Sequence, residues 1–151
     1  MTEVIENINE NLTISFCKAW NNLDVSYIEN CFTDDFVYSS QMVLADLNGK
    51  EAYLNYIKAK FNSFKKGVNT ITAELGYYEN EPCFVLRLIF ANPIRAPYGN
   101  PKYKTESFNQ PLVSEVYSTV LMKFEHDLIK SAVMCEIPGI SYITRTGIFP
   151  K

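Results

Sequence analysis

The chain has 151 residues, 47% of them hydrophobic and 21% charged, which fits one domain, 1–151, with its own core and excludes disordered, collagen-like and coiled-coil classes. The net charge of −3 argues against nucleic acid or an anionic membrane as partner. No apolar run approaches the ~20 residues that span a bilayer. The opening MTEVIENINE is too acidic and polar for a signal or transit peptide, so the expected compartment is the cytoplasm.

Residues 3–20 place Ile5, Ile8, Leu12, Phe16 and Ala19 on one helical face. Asn21 and Asn22 interrupt that helix, and Asp24 is suited to cap a short second one carrying Val25, Ile28 and Cys31. A short strand is expected at Phe36, Val37 and Tyr38, after the Asp34-Asp35 turn. Gly49 then opens a long helix striped by Tyr53, Ile57, Phe61 and Phe64, with Gly67 as its C-cap. Beyond Gly67 the apolar period changes from 3.6 to 2, predicting strands over 70–78, 83–91, 112–124 and 128–137. Between the second and third of these lies a long connection, Asn92 to Pro111, rich in Pro, Asn and Tyr. Lengths of that kind belong to lids or to extended hairpins. The order is α+β: helices first, then an antiparallel meander with the helices on one sheet face.

Several chemistries are excluded by what the chain lacks. Cys17, Cys31, Cys83 and Cys135 are widely spaced, so buried free thiols are expected and no metal site. The single histidine, His126, lies in a polar break between two alternating runs, which reads as an exposed hairpin tip rather than part of a nucleophilic triad. The six glycines are scattered singly, so no phosphate-cradling loop is present and no cofactor is expected. The one basic run, Lys58, Lys60, Lys65 and Lys66, reads as a solvated face near a helix C-terminus.

This order, with Ala19-Trp20, Asp24 before a short helix, FTDDFVYSS and NGKEAYLNYI, resembles the NTF2-like superfamily, which includes SnoaL-like polyketide cyclases and ketosteroid isomerases. The stretch FEHDLIKS resembles the last hairpin of that group, without its usual Asp-Gly. The resemblance implies a conical, curved sheet packed on N-terminal helices around a pocket. Laid without gaps on the isomerases, Phe16 falls at their oxyanion-hole tyrosine and Ser40 at their general-base aspartate. A phenyl ring donates no hydrogen bond and an unaided serine is a very weak base, so steroid isomerisation is not expected. The cyclases imply a carboxylate near the end of the last strand, where Glu136 is the nearest match.

Glu74, Arg87, Glu115 and Glu136 interrupt otherwise apolar strands. An Asn80-Glu81 turn would set Glu74 opposite Arg87, and a loop centred near Pro101 would set Arg87 opposite Glu115. A His126-Asp127 turn would set Tyr117 opposite Glu136, completing one charged belt. The other face then holds Ala73, Leu75, Tyr77, Phe84, Leu86, Leu88, Phe90, Val116, Val120, Met122, Phe124, Ile129, Val133, Cys135 and Ile137, and packs on the helices. In this register the belt faces outward as an ionic ladder, although one β-bulge would turn Glu115 or Glu136 inward. Cys83, Val85, Ile89, Val113, Tyr117 and Leu121 share the outward face, an apolar patch that suits a homodimer through the sheet.

Phe16, Trp20, Tyr38, Ser40, Tyr53, Tyr56, Ile57, Phe61 and Ser118 fall where the resemblance places the cavity lining; the aromatics among them also fit an ordinary core. A pocket of ~300–1,000 Å³ there would take a small, largely apolar molecule. Three functions follow. One is a homodimeric binding module for such a ligand. Another is a cyclase, isomerase or dehydratase using a buried carboxylate, Glu136 or Glu115, with Tyr117 beside it. The third is an adaptor using the sheet surface alone.

Overall fold

A computed structural model describes residues 7–41, 43–95, 112–135 and 140–151. Helix α1 (Ile8–Asn22) starts at Asn7, whose side chain accepts from the Glu10 amide, and ends on Leu23 in the left-handed conformation. Asp24 caps a single 3₁₀ turn, Val25–Tyr27, by accepting from the Ser26 amide. Strands β1 (Phe32–Ser40) and β2 (Val43–Asn48) form a hairpin, and helix α2 (Lys50–Lys66) follows Gly49. The meander is β3 (Thr70–Tyr78), β4 (Glu81–Arg95), β5 (Leu112–Glu125) and β6 (Leu128–Cys135). A two-residue strand, β7 (Thr144–Arg145), closes the sheet.

The seven strands are ordered β2-β1-β6-β5-β4-β3-β7, antiparallel except where β1 runs parallel to β6. The fold is α+β, as expected. The strand at 36–38 is longer than expected, β4 runs on to Arg95, and the two strands not anticipated are β2 and β7.

Two turns set the register. Glu79 and Asn80 both have positive φ, at 49° and 68°, so the β3–β4 turn sits one residue earlier than expected. Glu74 therefore faces Val85, and Arg87 faces Thr72. The slip is two residues, which preserves the face of each side chain. His126 and Asp127, at φ 54° and 61°, form the tip of the β5–β6 hairpin, and the histidine side chain is 85% exposed.

A bulge then interrupts that hairpin. Phe124 pairs with Ile129, but Lys123 pairs with Ser131, leaving Lys130 as the extra residue. Beyond it the facing of β6 is reversed relative to the expectation. Ala132 and Met134 pack in the main core, whereas Val133 and Cys135 pair with Leu121 and Thr119 on the outer face. The inward placement expected for Val133 and Cys135 is thus corrected by one inserted residue. Ile137 lies outside the described residues.

The core lies between the helices and the inner sheet face. Phe16, Trp20, Phe32, Phe36, Tyr53, Ile57, Phe61, Phe84, Leu86, Val120 and Ile129 are all buried there. The outer face is partly covered by the chain's own C-terminal segment, where Ile143 packs on Cys83 and Val85. Gly76 permits this approach, because a Cβ at that position would come within 2.8 Å of Ile143 Cγ2 and 3.2 Å of the Thr144 carbonyl oxygen. The segment is held further by buried Glu74, which accepts from Arg145 Nε and from the Gly147 amide, both at 2.8 Å.

Asn21 joins helix, sheet and C-terminus. Its Nδ2 donates to the Ala73 carbonyl at 2.9 Å and the Pro150 carbonyl at 2.7 Å, while its Oδ1 accepts from the Ala73 amide at 2.8 Å. Neighbouring Asn22 is exposed, and its side chain donates within its own helix, to the Lys18 carbonyl. Three bonds at about 1 kcal/mol each, two to the backbone of buried Ala73 and one to that of Pro150, predict that Asn21→Ala lowers unfolding free energy by about 2–4 kcal/mol. Asn22→Ala should change it by less than about 0.5 kcal/mol. Urea denaturation of the two variants checks the contrast.

Candidate functional site

The conical interior is filled at one end. Phe16 is fully buried, with its ring 5.5 Å from Phe32, 6.2 Å from Tyr53 and 4.8 Å from Phe84. Phe36 and Tyr38 extend the cluster along β1 against Tyr53 and Tyr56 of α2, at centroid separations of 4.9–5.7 Å. Burial, before any neighbour, pushes the Tyr38 and Tyr53 phenols well above their ordinary range, so both remain neutral hydrogen-bonding groups. The half-buried Ser40 and Tyr56 both interact with the Tyr38 phenol, which also reaches Met134 Sδ at 3.8 Å. Ile57 and Phe61 are buried in the same core.

One helical turn beyond Phe16, the interior opens. Trp20, Lys60, Phe64, Ile71, Leu86, Leu88, Val116, Ser118 and Met134 line a cavity of about 80 Å³. This is far smaller than the ~300–1,000 Å³ typical of ligand pockets, because the rings around Phe16 occupy the expected space. Of the nine residues expected to line a pocket, Trp20 and Ser118 do so here. Trp20 is 2% exposed, and its Nε1–H has no hydrogen-bond partner among the described residues. Its ring meets Phe61 and Phe64 edge-on.

Lys60 is the lining residue that the sequence hid within a basic run. Its Nζ donates to the Tyr56 hydroxyl at 3.2 Å and lies 5.5 Å from the centre of that ring. The available signal was spacing: Lys60 stands four residues from both Tyr56 and Phe64, on the flank of the apolar stripe. Met134 was missed because the bulge that turns it inward is invisible to simple alternation.

The charged residues lie on the opposite side. Glu115 accepts from Arg87 Nε at 2.7 Å, and Arg87 lies over the Tyr117 ring at 5.8 Å. Arg145, bound to Glu74, lies over the same ring at 5.4 Å. Glu115 faces Ile89 and Tyr117 faces Arg87, so the expected pairing of Arg87 with Glu115 is diagonal rather than direct. The ladder thus runs Glu115–Arg87–Tyr117–Arg145–Glu74 on the outer face, away from the cavity. Glu136 lies outside the described residues. Among the described residues no cluster of His, Cys, Asp and Glu could hold a metal, and no helix is long and apolar enough to cross a membrane. All four cysteines are free and buried.

Beside this ladder the outer face carries a groove of about 470 Å³, walled by Tyr78, Pro82, Cys83, Leu121, Val133 and Cys135 among others. Burial raises the Cys83 thiol to about 12 and Cys135 above its ordinary value. Both therefore behave as small apolar groups rather than nucleophiles.

No protein-family model matches the sequence. No curated protein is detectably similar in sequence either. Solved structures do share the fold. An uncharacterized cystatin fold protein from Novosphingobium aromaticivorans matches at 16% identity and TM-score 0.56, covering 87% of this chain and 99% of the other. An NTF2-like protein of unknown function from Mesorhizobium loti matches at 13% identity and TM-score 0.57, covering 89% and 97%. A putative ketosteroid isomerase from Kribbella flavida matches at 11% identity and TM-score 0.55, covering 84% and 76%. The chain has the NTF2-like, cystatin-like fold, as the sequence resemblance implied.

With Phe16 packed among other rings and no carboxylate at position 40, the interior offers no donor–base pair there for enolisation. A β,γ-unsaturated ketosteroid should isomerise at the buffer rate in the presence of the protein. Faster conversion that disappears in Ser40→Ala would contradict this.

Proposed function

We propose that the protein is a homodimeric binding module that takes a small, largely apolar molecule into the cavity beside Trp20. The observation that carries this reading is a buried indole N–H without a partner among the described residues, in the wall of a cavity otherwise lined mainly by aliphatic and aromatic side chains. A buried donor left unpaired costs about 1–3 kcal/mol, so an occupant that accepts from it recovers that energy. At about 30 Å³ per water, the space corresponds to about three waters or a ligand of about four to six heavy atoms. Ligands of that size seldom exceed about −1.5 kcal/mol per heavy atom, and affinities of about 0.1–1 mM are the expectation.

The dimer interface proposed is the groove flanked by Leu121 and Val133, where the C-terminal segment leaves the outer face uncovered. Light scattering should give about twice the 17.3 kDa chain mass, and Val133→Asp should return it to the monomer. A monomer at micromolar concentration for the unaltered chain would refute the assembly.

Trp20 is the sole tryptophan, so its fluorescence reports occupancy directly. Small alkanols should change it saturably, and Val116→Phe, which adds a ring to the cavity wall, should abolish the response while preserving the fold. Tyr56→Ala should weaken it through Lys60. If no small ligand moves the signal, the cavity is core and the adaptor reading prevails. If Glu136→Gln removes binding or a turnover, the carboxylate-enzyme reading replaces this one.

A further inference from the structure

We propose that the cavity beside Trp20 selects a short-chain carboxylate, of about two to four carbons, over neutral or cationic molecules of the same size. This rests on the reading of the cavity as a ligand site and names the chemistry it favours. Among the described residues three polar side chains line it: Trp20, Lys60 and Ser118. An indole N–H and an ammonium can only donate, and a serine hydroxyl can do so. Among the described residues no carboxylate side chain lines it. A cation would thus meet donors and a like charge, whereas an anion meets complementary groups.

Lys60 is placed to supply the charge. One of its three protons is engaged by the Tyr56 hydroxyl at 3.2 Å, leaving two for an incoming oxygen. The indole has its single proton uncommitted among the described residues and is shielded from water, at 2% exposure. A carboxylate has two oxygens and about four acceptor positions, enough to meet both donors and Ser118 together. Ile71, Leu86, Leu88 and Val116 form the remaining wall, which suits an alkyl chain. The volume of about 80 Å³ limits that chain: a cavity of about 150 Å³ is what accommodates a benzene ring.

The test uses the full chain labelled with ¹⁵N, in which the sole tryptophan yields one indole N–H signal. Butyrate, butan-1-ol and butylamine are titrated at constant ionic strength and pH. The expected result is a saturable downfield shift with butyrate, at an affinity about tenfold or more above that of butan-1-ol, and no binding of butylamine. Lys60→Met should lower butyrate affinity by about ten- to a hundredfold, the range of a charge-assisted hydrogen bond, and lower that of butan-1-ol by no more than about threefold. Ser118→Ala, a change of one atom, should lower it by a smaller factor. If butan-1-ol binds as tightly as butyrate, or if Lys60→Met leaves butyrate affinity intact, carboxylate selection is overturned while the cavity remains a ligand site. If none of the three moves the indole signal, both the selection and the ligand site fall.

Discussion

The contact on which this architecture depends is the packing of Phe16 against Phe32, Tyr53 and Phe84. These four rings come from α1, β1, α2 and β4, so one cluster ties both helices to two separated strands. Edge-on and tilted ring pairs contribute about 0.5–1.5 kcal/mol each beyond their buried area. Truncating a phenylalanine at such a junction typically costs about 3–5 kcal/mol. The same cluster has a functional consequence. It fills the end of the cone around Phe16 and leaves free space one helical turn along α1, at Trp20.

The second determinant is the inserted Lys130 in the β5–β6 hairpin. Because side chains alternate along a strand, one extra residue exchanges the two faces of everything beyond it. Met134 thereby joins the cavity wall, and Val133 and Cys135 join the outer groove. The sheet is left with two unlike surfaces: an inner one of rings and aliphatics with a small donor-lined space, and an outer one with a charge ladder beside an apolar groove. The ladder organises the outer face around Tyr117, which lies under both Arg87 and Arg145.

Much of this was legible in the chain. The apolar stripes of the helices, the Asp24 cap and the period-2 runs at 70–78 and 112–124 follow from local rules, and the facing of Glu74, Arg87, Glu115 and Tyr117 survived a two-residue register slip because the slip was even. What escaped prediction was non-local or non-periodic. The bulge at Lys130 has no composition cue, β2 lies in a stretch without clean alternation, and β7 is a strand only because Glu74, Gly76 and Asn21 hold the C-terminal segment to the sheet edge. Of the residues expected on the cavity wall, Phe16 and Tyr53 pack ring against ring while Trp20 borders free space, a distinction that pairwise ring packing decides and helical spacing does not carry. Lys60 was hidden for a related reason: a lysine near a helix C-terminus reads as solvated until the tyrosine four residues before it is known to face the core.

The cone is closed at Phe16 and open beside Trp20. A crystal structure of the purified chain, refined at a resolution that shows ordered water, tests it most directly. The expected result is Phe16 in ring contact with Phe32, Tyr53 and Phe84, and density from a water or small ligand at hydrogen-bonding distance from Trp20 Nε1. A solvent-filled chamber between Phe16 and Ser40, or an indole N–H bonded to a protein group with no space beside it, would contradict it.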